Sequence, residues 1–391
     1  MNRFSFWSPT KIVFGPDSIS QAGALIKGSG GTSVLVLYGG GSAIRNGLLQ
    51  KVATALAEAG LKYDTIGGVR PNPSVQLAQQ IVDEYSDRAV NFILGVGGGS
   101  VIDTAKAVAH GLASPGASVW DFFCGKKKVG ASLPVGAMPT IAAAGSETSD
   151  SAVLTDLASG EKRGLGTPFN RPIFAIMDPT LTYSVTPRQT ACGTADILMH
   201  TLERYFAPDT DNAVTDEMAE GLMRVVIKYG RAVMARPNDY KARSELMWAG
   251  SLSHNGLTGL GQTKDFSVHQ MGHALSAKYD IPHGESLTAV WGAWAEMVYE
   301  NDAARFAQYA RNVWHVTEQD DKVAAQAGIR ATKEYFRSLG LPVTITEAIG
   351  ETTPGDIEGL TELCTYHGTR TIGSFRSLDA RTISAIYCDA K

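Results

Sequence analysis

Two short apolar runs followed by the same four residues restrict this chain more than any other feature. Ser33 to Tyr38 (SVLVLY) leads into Gly39, Gly40, Gly41 and Ser42, and Asn91 to Val96 (NFILGV) leads into Gly97, Gly98, Gly99 and Ser100. Each run is apolar along its length, as a strand buried on both faces must be. A helical pattern follows each turn, one through about Glu58 and the other as VIDTAKAVAHGLA. Between them lie a short strand near Tyr63 to Gly67 and a helix from about Ser74 to Tyr85. That alternation predicts a parallel sheet joined by right-handed crossovers. Both glycine turns then sit where a strand ends and a helix begins, the place where phosphate can meet free N–H groups and the positive end of a helix dipole. Neither fits Gly-x-Gly-x-x-Gly; the second reads Gly95-x-Gly97-Gly98-Gly99-Ser100. One such turn reads equally well as a tight connection. Two at equivalent strand ends of one sheet point to a nucleotide pyrophosphate, because ligands collect at that edge.

A third stretch of small residues, Pro139 to Ser151 (PTIAAAGSETSDS), can let a flat ring or a phosphate approach the backbone, although a polar loop is the plainer reading. Ala152 to Gly166 reads as a hairpin turning at LASGEKRG, and Arg171 to Met177 as a further strand ending at Asp178-Pro179. From about Thr182 the texture changes to successive amphipathic helical patterns: Pro187 to Phe206, Val214 to Met234, Lys241 to Ser253, His283 to Tyr299, Ala303 to Val313 and Lys322 to Leu339. The fold class expected is an α/β dinucleotide-binding domain with a parallel sheet over residues 1–182 and an all-helical domain over residues 183–391.

Composition excludes several partners. A chain of 391 residues that is 44% hydrophobic and 19% charged can build two globular cores. A net charge of −4 offers no footprint for nucleic acid or an anionic membrane. No apolar run reaches signal-peptide or membrane-spanning length, and the four cysteines, Cys124, Cys192, Cys364 and Cys388, are scattered. Reduced thiols in a soluble cytoplasmic protein are the expectation.

The chemistry-bearing residues fall in the second half. In Asp265 to Glu285, DFSVHQMGHALSAKYDIPHGE, His269 and His273 stand i, i+4 and leave one face of a helix. Pro282 predicts that this helix ends near Lys278 and that the chain returns to present His283 from a loop or a new helix start. Asp196 and His200, in TADILMHTLERY, are another i, i+4 pair. The Asp196 carboxylate stands among Ala195, Ile197, Leu198 and Met199, where an unpaired charge is costly and a cation removes the cost. Asp196, His200, His269 and His283 give one oxygen and three nitrogens, a set suited to a divalent first-row metal with a position left for substrate. On spacing alone His273 is an equal ligand candidate, and an Asp–His ion pair on a core helix is the alternative for the first pair.

With those residues in view, the chain resembles the iron-dependent (group III) alcohol dehydrogenase family, in its NADPH-dependent aldehyde reductase and butanol dehydrogenase branch. The likeness runs through Phe14-Gly15, both GGGS turns, PTIAAAGSETSDS, Asp178-Pro179, the Asp196/His200 helix and His269-x3-His273-x8-Pro282-His283-Gly284. It implies a dehydroquinate synthase-like architecture and a homodimer. It further implies that Asp196, His200, His269 and His283 bind the divalent metal, iron first, with zinc, nickel, cobalt or manganese accepted by the same donors. His273 is then placed near the nicotinamide, in proton transfer rather than ligation. Gly97, Gly98, Gly99 and Ser100 cradle the pyrophosphate by the same likeness, Asp103 stands at the cofactor-side helix start, and Thr140, Ser149 and Lys162 line the cofactor. Two departures stand out: Ser276 where many members have glycine, and Ala144-Gly145-Ser146 in place of a threonine-containing run.

NAD-preferring relatives carry an aspartate at the end of the first strand. Gly39, Gly40, Gly41 and Ser42 instead leave N–H groups and a hydroxyl for a 2′-phosphate, with Arg45 as a further partner, and the expected cofactor is NADP(H). The expected reaction interconverts aldehydes and primary alcohols and favours aldehyde reduction, with His254 and Asn255 bordering the substrate; Phe266 is a third candidate border that reads at least as well as helix packing. A phosphate-substrate dehydrogenase or a lyase on the same scaffold is the rival. It would line the metal site with lysine and arginine, whereas the segments flanking these ligands are mainly apolar.

Overall fold

Strand, glycine turn and helix recur in space as they do in sequence. The protein is described by a computed structural model covering residues 2–208 and 211–391, and it divides into two compact units, Trp7–Val185 and Thr186–Lys391, the second taking in the chain up to Phe6. In the first unit the strands are β1 (Lys11–Phe14), β2 (Ser33–Tyr38), β3 (Lys62–Ile66), β4 (Phe92–Gly97), β5 (Val135–Pro139), β6 (Ser151–Asp156), β7 (Glu161–Gly166) and β8 (Phe174–Met177). Six of them form one sheet in the order β1-β8-β5-β4-β2-β3, parallel at every pairing, while β6 and β7 make an antiparallel hairpin.

The helices of this unit are α1 (Ala22–Gly28), α2 (Ser42–Arg45), α3 (Leu48–Glu58), α4 (Val75–Tyr85), α5 (Gly99–Leu112) and α6 (Val119–Phe123). They cover both faces of the sheet, which is why β2 and β4 are apolar without alternation. Successive side chains still part to opposite sides. Val34 and Val36 pack with Ala22, Ile26, Val52 and Leu56, whereas Leu35 and Leu37 pack with Ala78, Ile81, Val101 and Ala105. The helical pattern expected through Glu58 is two helices, because Gly47 takes φ of 69° and breaks it between Arg45 and Leu48. β1, α1 and α6 are not among the elements expected from sequence. β1 is four residues long and only half-buried, too short for a period to declare itself.

His110, in the last turn of α5, shows how deeply that helix is buried. Its Nε2 is 2.8 Å from Asn170 Oδ1 and its Nδ1 is 2.9 Å from Ser132 Oγ. Asn170 spends its amide N–H groups on Asp150 O and Leu165 O, so its Oδ1 accepts and His110 carries the proton on Nε2. Burial holds this imidazole down to about 4. An unfolded histidine binds a proton near pH 6.5. The stability that neutral His110 contributes is therefore whole above about pH 6.5 and is lost as pH falls toward 4. In urea unfolding, the stability advantage of the wild type over His110→Gln is expected to shrink by about 2 kcal/mol between about pH 7 and about pH 5. Parallel pH slopes for the two proteins would remove His110 as the cause.

The second unit is helical: α7 (Pro187–Tyr205), α8 (Ala213–Ala235), α9 (Tyr240–His254), α10 (Ser267–Tyr279), α11 (His283–Val298), α12 (Ala303–Trp314), α13 (Asp321–Ser338), α14 (Ile345–Ile349), α15 (Pro354–Cys364) and α16 (Ala380–Asp389). Thr186 caps α7 by accepting from Gln189 N, and Pro187 takes the first helical position, where a missing N–H is no loss. From Thr190 to Tyr205 every residue of α7 is buried, with α8, α9 and α11 packed around it. A helix enclosed on all sides is expected to be apolar all round. This one carries Asp196, His200, Glu203 and Arg204. Among the described residues no helix is long and apolar enough to cross a membrane.

Candidate metal centre and nucleotide loops

Asp196 and His200 sit one turn apart on α7, both buried. His200 Nδ1 lies 2.9 Å from the carbonyl of Asp196, which can only accept; the ring proton is therefore on Nδ1 and the lone pair on Nε2. His269 and His273 leave α10, and His283 is the first residue of α11, so the chain's return is a new helix start. α10 ends at Tyr279, where Asp280 takes the left-handed conformation (φ 49°, ψ 32°) and donates its N–H to Ser276 O. Gly284 lets α11 approach α7. A Cβ there would fall 2.4 Å from Cys192 O and 2.5 Å from its Cα, so any side chain at 284 displaces the helix start that carries His283.

These elements bring the expected ligands together. Donor atoms of Asp196, His200 and His269 lie within 4.8 Å of one another, and His283 Nε2 lies 3.8 Å from Asp196 Oδ1. Asp196 Oδ1 and His269 Nε2 are buried and have no hydrogen-bond partner among the described residues. Their separation of 3.6 Å is too long for a direct bond. Two buried polar atoms aimed at one point, with a third and fourth donor beside them, fit a metal ion. Electrostatics agree. Burial raises the Asp196 carboxyl, yet His200, His269 and His283 together hold it well below the usual range. Burial lowers His200, and it opposes charge on His269 as well, but Glu203 and Asp196 lift the latter to about 9.

His273 stands one ring further out, its centroid 6.3 Å from that of His269 and 5.4 Å from that of His283. His254, in the last turn of α9, stacks on His200 at 4.1 Å. Phe266 is half-buried and holds a left-handed backbone (φ 58°), a strained state for an aromatic residue. Its ring lies edge-on to His269 at 5.2 Å and beneath the Arg204 guanidinium at 4.8 Å. Ser276 is accommodated without disturbance, its hydroxyl donating to Gly272 O at 2.7 Å with Ser286 Oγ at 3.4 Å. Sequence reasoning passed over Glu203, whose carboxylate accepts from His269 Nδ1 and from His269 N. Its signal was available: it follows Asp196 and His200 on one face of α7.

The glycine turns belong to the other unit. Gly98 precedes α5 and accepts the first bonds of the helix from Val101 N and Ile102 N, while Gly99 and Ser100, half-buried, supply N–H groups without intrahelical partners. Residues 140–146 pack over this turn. A Cβ at Gly98 would meet Ile141 Cγ2 at 3.1 Å, and one at Gly99 would meet Ala144 Cβ at 3.5 Å. Thr140, half-buried, donates its N–H to Gly97 O at 3.1 Å. A backbone-lined cradle with close-packed walls fits a pyrophosphate. Gly39 follows β2 without positive φ, and a Cβ there would make only ordinary contacts, 3.4 Å to Val69 O and 3.5 Å to Val101 Cγ2. Arg45 folds back over the first turn, its Nη1 lying 2.6 Å from where a Cβ on Gly41 would be.

Three other residues of the cofactor set are engaged internally. Asp103 Oδ1 accepts from Ser146 Oγ at 2.5 Å and its Oδ2 from Val153 N at 2.9 Å, and burial raises its carboxyl. Ser149 is fully buried, its Oγ accepting from Ser151 N. Lys162 donates to Asn72 Oδ1 at 2.8 Å. Lys106, also passed over, lies under this loop. Fully buried and lowered by burial to about 8, it donates to Ser146 Oγ and Ser151 O, both at 2.7 Å, and stands 3.8 Å from Asp103 Oδ1.

A parallel sheet with two glycine turns, and a helical unit gathering an aspartate and three histidines, are the features of a metal-dependent, nucleotide-binding enzyme. Residues 9–179 match the model of the iron-containing alcohol dehydrogenase family and residues 190–391 match its C-terminal model, so the chain belongs to that family. It is 37% identical over 390 residues to the NADH-dependent butanol dehydrogenase A of Clostridium acetobutylicum, covering 99% of each chain. To the NADPH-dependent aldehyde reductase YqhD of Escherichia coli it is 33% identical, again over 99% of each. The crystal structure of an NADH-dependent butanol dehydrogenase A from Thermotoga maritima superimposes with a TM-score of 0.95 at 33% identity, covering 100% of this chain and 99% of that one. The chain is accordingly an NAD(P)-dependent oxidoreductase of the alcohol dehydrogenase class.

Proposed function

We propose that this enzyme reduces small aldehydes to primary alcohols with NADPH, at a divalent metal held by Asp196, His200, His269 and His283. The observation that carries the reading is the convergence of these donors on buried, unbonded Asp196 Oδ1 and His269 Nε2. When bound, the metal supplies Lewis acidity to the substrate oxygen and the nicotinamide supplies the hydride. The chain's own residues do the rest. Asp196 brings the one anionic donor, and His200, His269 and His283 would add three imidazole nitrogens, with Nε2 left for the metal on His200 and His269 by the bonds their Nδ1 atoms make. Gly97, Gly98, Gly99 and Ser100 hold the pyrophosphate through backbone N–H groups. Asp103 and Lys106 fix the Ser146 loop against the start of α5, Ser149 stiffens the same loop, and Lys162 ties β7 to Asn72. Phe266, His254 and Asn255 border the substrate and exclude water.

His273 conveys the proton that the product oxygen takes up, through its imidazole nitrogens. His273→Ala is expected to lower kcat by about two orders of magnitude and to flatten the pH profile, with metal content retained. Unchanged turnover and an unchanged profile would take His273 out of the relay.

NADPH is preferred because nothing steric demands glycine at 39, so the missing carboxylate is a chemical choice, and because Arg45 brings a guanidinium over Gly41. The Clostridium and Thermotoga relatives, named NADH-dependent, support NADH as the second reading. Metal-stripped enzyme, reconstituted separately with iron, zinc, nickel and manganese, is assayed on short and medium aldehydes. Metal-dependent turnover with kcat/KM at least about tenfold higher for NADPH is expected, one charge-assisted phosphate contact being worth at least about 1.4 kcal/mol. Gly39→Asp should reverse the order. Equal efficiency with both cofactors would overturn the preference, and no turnover with any metal would overturn aldehyde reduction itself.

A further inference from the structure

Glu203 is fully buried on α7, three residues beyond His200 and seven beyond Asp196, on the face that carries both. Both of its oxygens go to one residue of another helix. Oε1 accepts from His269 N at 3.1 Å, and Oε2 accepts from His269 Nδ1. The His269 N–H belongs to the first turn of α10, where helix geometry supplies no partner, and Phe266 at the N-cap contributes no side-chain bond. Asp265 serves Ser267 N at 2.9 Å, leaving His269 N to Glu203. The carboxylate also stands at the positive end of the α10 dipole.

Capping alone does not account for a charged group in so closed a place. A neutral amide would cap the helix and avoid burying an anion. The ring contact does account for it. A carboxylate only accepts, so it holds the proton of His269 on Nδ1 and leaves the lone pair on Nε2, the buried atom that has no hydrogen-bond partner and lies 3.6 Å from Asp196 Oδ1. We propose that Glu203 is a positioning residue for the metal: it fixes the ring and tautomer of His269 and, with Asp196, supplies two negative charges to balance a divalent cation. The inference rests on the metal reading above. Carboxylates placed behind a ligating histidine typically change metal affinity by about 10- to 100-fold.

Glu203→Gln separates this role from capping. The glutamine carbonyl can still accept from His269 N, but its amide then faces Nδ1 as a donor and drives the ring proton to Nε2, toward the metal position. Cobalt(II) binding to the metal-stripped full chain is measured by calorimetry and by its visible d–d absorption. The wild type is expected to bind one cobalt per chain, lost in His283→Ala. Glu203→Gln should bind with a Kd about 10- to 100-fold higher and a shifted absorption band. Glu203→Asp, which keeps the charge a methylene short, should fall between them, and it carries the test if the glutamine variant does not fold. Glu220→Gln is the control for buried carboxylates in general. Glu220 bonds Tyr205 Oη, Gln308 and Asn312, and its replacement should lower Tm with cobalt affinity unchanged. A wild-type Kd and band in Glu203→Gln, or an equal loss in Glu220→Gln, would overturn the positioning role and leave the metal site standing. Failure of the wild type to bind cobalt would overturn both.

Discussion

Asp196→Ala is expected to lose its metal on dialysis and to turn over aldehyde about three orders of magnitude more slowly than the wild type. The size follows from what the site supplies: Lewis-acid stabilisation of developing charge on oxygen is worth several kcal/mol, and about 4 kcal/mol is a thousandfold. Asp196 is the natural choice because it is the only anionic donor of the set, and its Oδ1 lies 3.2 Å from His200 Nδ1, 3.6 Å from His269 Nε2 and 3.8 Å from His283 Nε2. Losing it leaves three imidazoles with no anion among the donors, and a site whose charge no longer matches a divalent cation. Metal content after dialysis and NADPH oxidation under saturating aldehyde check the two halves of the expectation. A variant that keeps one metal per chain and turns over within tenfold of the wild type would show that Asp196 is an ion-pair partner on a core helix.

Arg305→Met is expected to destabilise the helical unit by about 3–5 kcal/mol, the range for stripping one partner from a buried ion pair. Arg305, on α12, is 2% exposed. Its Nη1 and Nη2 grip the two oxygens of Asp216 on α8 at 2.5 and 2.7 Å, and Nε and Nη2 donate to Tyr205 O at 3.1 and 2.8 Å. The guanidinium lies 3.7 Å over the Tyr205 ring. One side chain thus ties three helices together and satisfies a carbonyl at the C-terminal end of α7, where a cation also complements the dipole. In Arg305→Met the Asp216 carboxylate stays buried without its counter-charge. Urea unfolding should show a lower midpoint at an unchanged m-value, and the double variant with Asp216→Leu should recover much of the loss. A single-variant loss below about 1 kcal/mol would mean that water reaches Asp216.

What can be read from a linear chain depends on how local its cause is. The β2 and β4 runs declare themselves because burial on both faces leaves no polar position, and the glycines after them because no side chain follows the strand end. α7 and α10 show their ligands as i, i+4 pairs, a spacing that helix geometry turns into one face. Asp103 and Ser149 are harder. Asp103 follows the nucleotide turn and Ser149 lies in the small-residue stretch after β5, but their side chains point inward, to Ser146 and Val153 in one case and Ser151 in the other. Lys106 was invisible for the same reason. A lysine on a predicted helix reads as solvent-facing, and only the fold of residues 146–151 over α5 encloses it.

The sequence by itself determined the alternation of strand and helix around the two glycine turns, the passage from an α/β half to a helical half, and the candidate donors on α7 and α10, with His269 and His273 still equal. Those follow from hydrophobic period, from glycine and proline chemistry, and from spacing within one element. The tertiary structure alone decided which donors meet. His283 reaches Asp196 because Gly284 lets α11 touch the Cys192 backbone, and His269 is turned by Glu203, a residue 66 positions away in the chain. No local rule encodes such contacts, because they depend on how closely two helices pack, and that is settled by the side chains between them.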